Sequence, residues 1–405
     1  MTIRAGGWWL LRGVLTLAMA HTVLLTSGVA YAASTATDES APYRRPVKVV
    51  APERVKIKTA LGETLVAAYV SADMSKPLPG VKRVVVMVHG RLRDADKYFE
   101  LTMRAAKASA AGAETLIIAP QFLNSADAAR HDVAANVARW KTEGWPGDDA
   151  GKAPFAMSSF EVLDGIIAHL SDRTRFPNLE RIVVAAHSGG AQFVQRYAVV
   201  GRADQVLSDA GLRPYADGVS VPDGAASVMR IRYVVANPSS YVYFDATRPH
   251  AVGNCRDVNH WRYGFVDTVP YIQGDVKQMQ ARYLTRRVIY MLGDKDTDPN
   301  HSALDKTCMA EAQGLHRLER GNNYFAHMQK IAAAQNINLR HTRVQISGAA
   351  HNADRMFNSA CGMSALFDAP GCDLKLPDAP PGVAATPGAP SLPAAAVSAN
   401  AQKAR

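Results

Sequence analysis

A serine between an apolar run and a helix-forming segment is the first residue in this chain whose surroundings suggest chemistry. Residues 181–191 read R-I-V-V-A-A-H-S-G-G-A; the β-branched run stops at His187-Ser188-Gly189-Gly190, and a helical pattern continues from Ala191 to Ala198. A buried strand, a tight turn and a helix would put Ser188 at the turn. A bland reading makes it a turn serine that caps the helix. A serine hydroxyl alone is a weak nucleophile: it needs a base within hydrogen-bond reach and a third group that orients the base. His351 and Asp296 are the candidates, because each lies just beyond another apolar run. An imidazole suits proton transfer near neutrality. His341 falls inside the last run and is worse placed. His187 adjoins Ser188, and adjacent side chains at a sharp turn point apart, so it is a candidate for substrate contact or loop packing. Asp294 and Asp298 stand close enough to compete with Asp296.

Those residues need strands and helices to position them. Segments 55–59 and 64–70, around Leu61-Gly62-Glu63, suggest an antiparallel hairpin at a sheet edge. Apolar runs at 81–89, 114–119, 181–187, 229–236, 286–292 and 339–346 read as strands, the first continuous enough to be covered on both faces. Helical patterns fall near 95–111, 158–170, 191–198, 304–316, 324–335 and 354–360. This alternation implies an α/β fold, a mostly parallel sheet with helices on both faces. Residues 121–157 break the rhythm and read as an excursion over the sheet edge. Residues 237–284 are aromatic and rich in turns. Tyr241, Tyr243, Trp261 and Tyr263 there are candidates to wall a cleft, although aromatics more often pack a loop region.

Three features resemble the α/β-hydrolase superfamily over most of residues 50–365. They are Val84-Val85-Val86-Met87-Val88-His89-Gly90, Ala186-His187-Ser188-Gly189-Gly190, and Gly293 to Asp296 followed by His351. The whole chain looks like a secreted bacterial hydrolase of that superfamily, and resembles polyester depolymerases and esterases in broad plan. The usual Gly-x-Ser-x-Gly is Ala-x-Ser-x-Gly here, with Ala186 in the first small position. The resemblance implies the chain order Ser188, Asp296, His351 for a catalytic triad. It favours Asp296, three residues after Gly293, as the acid. It also implies an oxyanion site built from the Gly189 N–H and one from the loop after His89, that of Arg91 or Gly90. His89 itself is expected to organise that loop.

Four cysteines allow three pairings. Cys361 and Cys372 close a short loop and are the first pair expected, which leaves Cys255 with Cys308. Residues 1–32 read as a signal peptide: Arg4 and Arg12 precede an apolar stretch that ends in Ala30-Tyr31-Ala32. A retained membrane anchor is the alternative. A leader is expected at 33–45, the catalytic domain at 46–372 and a Pro/Ala-rich disordered tail at 373–405. The chain of 405 residues carries a formal charge of +10, spread without a basic run, zinc-finger spacing or aromatic-basic interleaving. Nucleic acid is therefore a poor partner. No His-Glu-x-x-His motif occurs, so no catalytic metal and no cofactor are expected; a calcium loop from Asp294, Asp296 and Asp298 is a minor option that lacks the usual glycine and distal glutamate. The expected activity is hydrolysis of a small or polymeric carboxylic ester, in the periplasm or medium, with no stable membrane insertion after signal removal. Amide or peptide hydrolysis on the same triad is one rival. A non-catalytic extracellular binding protein on the same scaffold is the other.

Overall fold

Valine-rich segments lie side by side at the centre of the molecule, because each has apolar side chains on both alternating faces and neither face tolerates water. The computed structural model describes residues 41–216 and 227–376. The expected signal peptide, most of the expected leader and the tail beyond residue 376 lie outside the described residues. The strands are β1 (Glu53–Thr59), β2 (Gly62–Val70), β3 (Arg83–Val88), β4 (Thr115–Pro120), β5 (Arg181–His187), β6 (Arg213–Ala216), β7 (Val228–Ala236), β8 (Arg287–Gly293) and β9 (His341–Ile346). The helices are α1 (Ala95–Ala108), α2 (Ser125–Arg130), α3 (Phe160–Leu170), α4 (Gly189–Val200), α5 (Ala203–Asp209), α6 (Val276–Thr285), α7 (Cys308–Glu311), α8 (Arg317–Ala334), α9 (Ala353–Phe357) and α10 (Ala360–Phe367).

The sheet runs β1-β2-β4-β3-β5-β7-β8-β9, with β6 beside β7. β1, β2 and β4 pair antiparallel and every other pairing is parallel. Alternation divides the core. Val84, Val86 and Val88 share one cluster with Val184, Leu163 of α3 and Phe193 of α4. Val85 and Met87 share the other with Val183, Leu101 of α1 and Phe357 of α9. The parallel strands therefore all end at one edge of a sheet covered on both sides, where loops are free to carry chemistry.

Several elements differ from the sequence reading. The 121–157 segment is no mere excursion: it contains α2, and its Trp140 and Trp145 are fully buried beside Phe122. Trp145 stacks on Phe122 with centroids 4.9 Å apart, so apolar burial outweighs the polar composition around it. The helix expected at 304–316 is reduced to α7. Thr307 caps it, and Gly314 ends the segment at φ 148°, a conformation that glycine adopts without strain. α8 starts at Arg317 because the His316 ring accepts from the Glu319 N–H at 3.3 Å. α5, β6 and α6 were not marked in the sequence. Both expected disulfides are present, Cys255–Cys308 and Cys361–Cys372. The Leu374 carbonyl accepts from Arg287 and the Lys375 carbonyl from Thr342, so the chain stays pinned to the sheet as far as residue 375. Among the described residues no helix is long and apolar enough to cross a membrane.

Candidate active site

The turn after β5 is held in a conformation that few side chains adopt. Ser188 has φ 60° and ψ −125°, a region that costs about 1–3 kcal/mol for a residue with a Cβ. Neighbours fix it there. The Ser188 N–H donates to the Ala236 carbonyl of β7 at 3.0 Å. Gly190 lets α4 approach the end of β3: a Cβ at 190 would stand 2.3 Å from the His89 carbonyl oxygen and 2.8 Å from that of Val88. The same Cβ would lie 3.1 Å from the Ala186 methyl. Alanine is accommodated at 186 because position 190 is bare.

Ser188, His351 and Asp296 come together at this edge. His351 Nε2 lies 2.8 Å from Ser188 Oγ, and His351 Nδ1 lies 2.7 Å from Asp296 Oδ2. An ionised carboxylate only accepts, so the neutral imidazole keeps its proton on Nδ1 and presents a lone pair to the serine hydroxyl. Asp296 is placed by a tight turn after β8, its N–H donating to the Gly293 carbonyl at 3.1 Å. Burial pushes its carboxyl up, but the His351 hydrogen bond and charge and the Arg317 guanidinium outweigh burial and hold it below the usual range. Burial lowers the His351 imidazole, as does the Arg317 charge, against the opposing pull of Asp296.

The carboxylate on His351 Nδ1 is that of Asp296, not of the two competing aspartates. Asp298 accepts from the Asn300 N–H at 2.8 Å, and one carboxylate oxygen of Asp294 is buried. Among the described residues no three His, Cys, Asp or Glu side chains converge as a metal-ligand set.

The remaining candidates fall into two groups. Around Ser188, Gly189 is the first residue of α4, so its N–H has no carbonyl one turn back to meet. The Arg91 nitrogen lies 3.2 Å from where a Gly189 Cβ would be. A Cβ at Gly90 would stand 2.7 Å from the Tyr98 hydroxyl. His89 is buried and locks this loop: its Nε2 accepts from the Phe122 N–H at 2.9 Å, which leaves Nδ1–H for the Gly90 carbonyl at 2.8 Å. Burial lowers it to about 4, so it stays neutral. His187 packs on the His351 ring, centroids 4.4 Å apart, and is kept neutral by burial and by the His351 and Arg317 charges. Away from Ser188, Tyr241 and Tyr243 are fully buried, not exposed to a cleft; Tyr241 stacks on Tyr324 of α8 at 4.5 Å and Tyr243 meets the same ring edge-on. Trp261 donates to the Gly147 carbonyl at 2.6 Å, and Tyr263 donates to Asp305 at 2.8 Å. They tie loops together around the strand ends.

The sequence reading missed two neighbours. His301 meets the His351 ring edge-on at 5.1 Å. Arg317 donates from Nη1 to Asp296 Oδ1 at 3.2 Å, both side chains buried. A helix-start signal, His316 followed three residues later by Glu319, was legible and would have placed Arg317 at an N-terminus, though not beside Asp296.

No protein-family model matches the chain, and no curated protein matches it. Solved structures do. Poly(aspartic acid) hydrolase-1 from Sphingomonas sp. KT-1 is 21% identical and superimposes with a TM-score of 0.52, over 78% of this chain and 99% of its own. LpqC, a poly(3-hydroxybutyrate) depolymerase from Bordetella parapertussis, is 20% identical over 81% and 92% of the two chains, with a TM-score of 0.49. The siderophore hydrolase EstB of Aspergillus nidulans is 14% identical over 80% and 97%, with a TM-score of 0.39. With its mostly parallel sheet, helices on both faces and antiparallel edge hairpin, the chain has the α/β-hydrolase fold.

Proposed function

We propose that the protein is an exported serine hydrolase that cleaves a carboxylic ester through an acyl-enzyme. The observation that carries this reading is the single imidazole between a strained serine and a buried carboxylate, at 2.8 and 2.7 Å. As Ser188 Oγ attacks the carbonyl carbon, His351 Nε2 takes its proton. Amides of Gly189 and Arg91 receive the oxyanion; Arg91 is preferred to Gly90 because its nitrogen lies beside Gly189, 3.2 Å from where a Cβ there would be. The imidazolium protonates the leaving alcohol, and water then clears the acyl group by the same route. Asp296 holds the tautomer and stabilises the imidazolium without taking its proton. Two disulfides suit an oxidising compartment and so support export.

Amide hydrolysis is the second reading, since the same triad serves it and one protein of this fold is named for poly(aspartic acid). The test is a panel of activated esters, polyesters, poly(aspartic acid) and peptides, run beside Ser188→Ala. The substitution should cost about 10⁴–10⁶-fold on whichever substrate is turned over. Equal turnover by both proteins would overturn the reading, and cleavage of amides without esters would replace the first reading by the second.

A further inference from the structure

We propose that Arg317 is a positioning residue of the triad: from the start of α8 its guanidinium grips one oxygen of Asp296 and aims the other at His351. The inference rests on the triad reading above.

Three contacts make the grip. Arg317 Nη1 donates to Asp296 Oδ1 at 3.2 Å, Arg317 Nε donates to Ser239 Oγ at 3.0 Å, and the next N–H of the helix, that of Leu318, donates to the Asp296 carbonyl at 3.3 Å. Ser239 follows β7 and Asp296 follows β8, so the planar guanidinium braces two strand ends from a third element. A flexible ammonium could not fix both directions at once. The carboxylate is divided between two partners, Oδ1 to Arg317 and Oδ2 to His351. Without the first, it is free to rotate about its last bond.

Two features argue against a role in folding alone. Arg317 is the first residue of α8, where a cation opposes the helix dipole. The helix start is already capped by His316, with Glu319 Oε2 accepting from the Leu315 N–H. The side chain is also fully buried with one carboxylate in contact, and a buried guanidinium is destabilising unless well paired. A residue placed against both preferences, with its charge 3.2 Å from the triad acid, is explained by what it does to that acid. The same charge, together with Asp296 and His301, sets the field on His351, against which the neutral His187 ring packs; Asp298 and Asp305 act on Arg317 from the loop after β8.

The test compares kcat, KM and the pH profile of ester hydrolysis in wild type, Arg317→Met and Arg317→Lys, with circular dichroism as the check on folding. Arg317→Met should keep KM and lose about 10²-fold in kcat through misplacement of Asp296, and its acid limb should move to higher pH. Arg317→Lys should keep the wild-type acid limb and recover only part of kcat. In an Asp296→Asn background, Arg317→Met should cost almost nothing more, since both act as one unit. A folded Arg317→Met with the wild-type rate and profile overturns the inference, as does an equal further loss in the Asp296→Asn background. If Arg317→Met does not fold, Ser239→Ala decides: it frees the Nε anchor and keeps the charge, so kcat should fall with an unmoved acid limb, and an unchanged kcat overturns the inference. Absence of Ser188-dependent hydrolysis in wild type is a different failure, that of the triad reading itself.

Discussion

Asp296, His351 and Ser188 each depend on a bond that the next one cannot replace. Asn at 296 would keep the shape, but with its oxygen held by Arg317 it would turn its NH2 toward His351 Nδ1 and impose the wrong tautomer. Asp296→Asn should therefore lower kcat about 10⁴-fold with little change in KM, measured by steady-state hydrolysis. The pH profile has a fixed sign. His351 must be neutral to take the serine proton, and burial depresses its imidazole below 6.5. Activity should then rise with pH through a midpoint below 6.5 and hold at neutrality; a midpoint above 6.5 would contradict the burial seen here. Gly190→Ala should remove labelling of Ser188 and cost about 1–3 kcal/mol, read by thermal unfolding, because its Cβ would meet two backbone oxygens that cannot move aside. At this scale the meeting of Ser188, Asp296 and His351 was legible, since residue type, order and position after an apolar run all coincide. Arg317 was not, because a contact made from a helix start to a loop 21 residues away has no spacing signature. Tyr241 and Tyr243 were misplaced because an aromatic side chain in a turn-rich segment looks the same whether it walls a cleft or, as here, lies under α8.

Strands carried the clearest signal at the scale of elements. β3, β5 and β8 are buried on both faces, so their composition cannot alternate and the apolar run is hard to mistake. Segment 304–316 has apolar residues at helical spacing, yet only α7 forms. Cys308 is drawn to Cys255 and Gly314 breaks the run, and neither constraint is visible in periodicity. α6 was hidden in a stretch whose aromatics and turns dominated the reading, although Asp275 caps it by accepting from the Gln278 N–H at 2.9 Å. The Cys255–Cys308 bond joins the loop after β7 to the loop that carries Asp305 and Thr307, which meet Tyr263. Replacing both cysteines by serine should raise hydrogen exchange across 245–266 and 298–312 while leaving β3 and β5 protected. Uniform loss of protection would show that the bond holds the whole sheet.

The molecule as a whole sets rigid strands against long connecting loops. Cys255–Cys308 spans 53 residues and Cys361–Cys372 spans 11. On chain entropy the first stabilises by about 4 kcal/mol and the second by about 3. Denaturant unfolding of the two double Cys→Ser variants should rank them in that order. The sheet, both core layers and the order of the residues proposed as a triad were legible from the chain because they rest on burial and sequence order. Substrate preference was not, since it depends on how loops near 143–149, 258–266 and 296–307 meet across long sequence separations. The central claim is that Ser188 is an activated nucleophile. Its most direct test is mass-spectrometric mapping of a fluorophosphonate adduct on the protein beside Ser188→Ala. A single wild-type adduct on Ser188, absent from the variant, is the result predicted; no adduct, or an adduct on another serine, would contradict it.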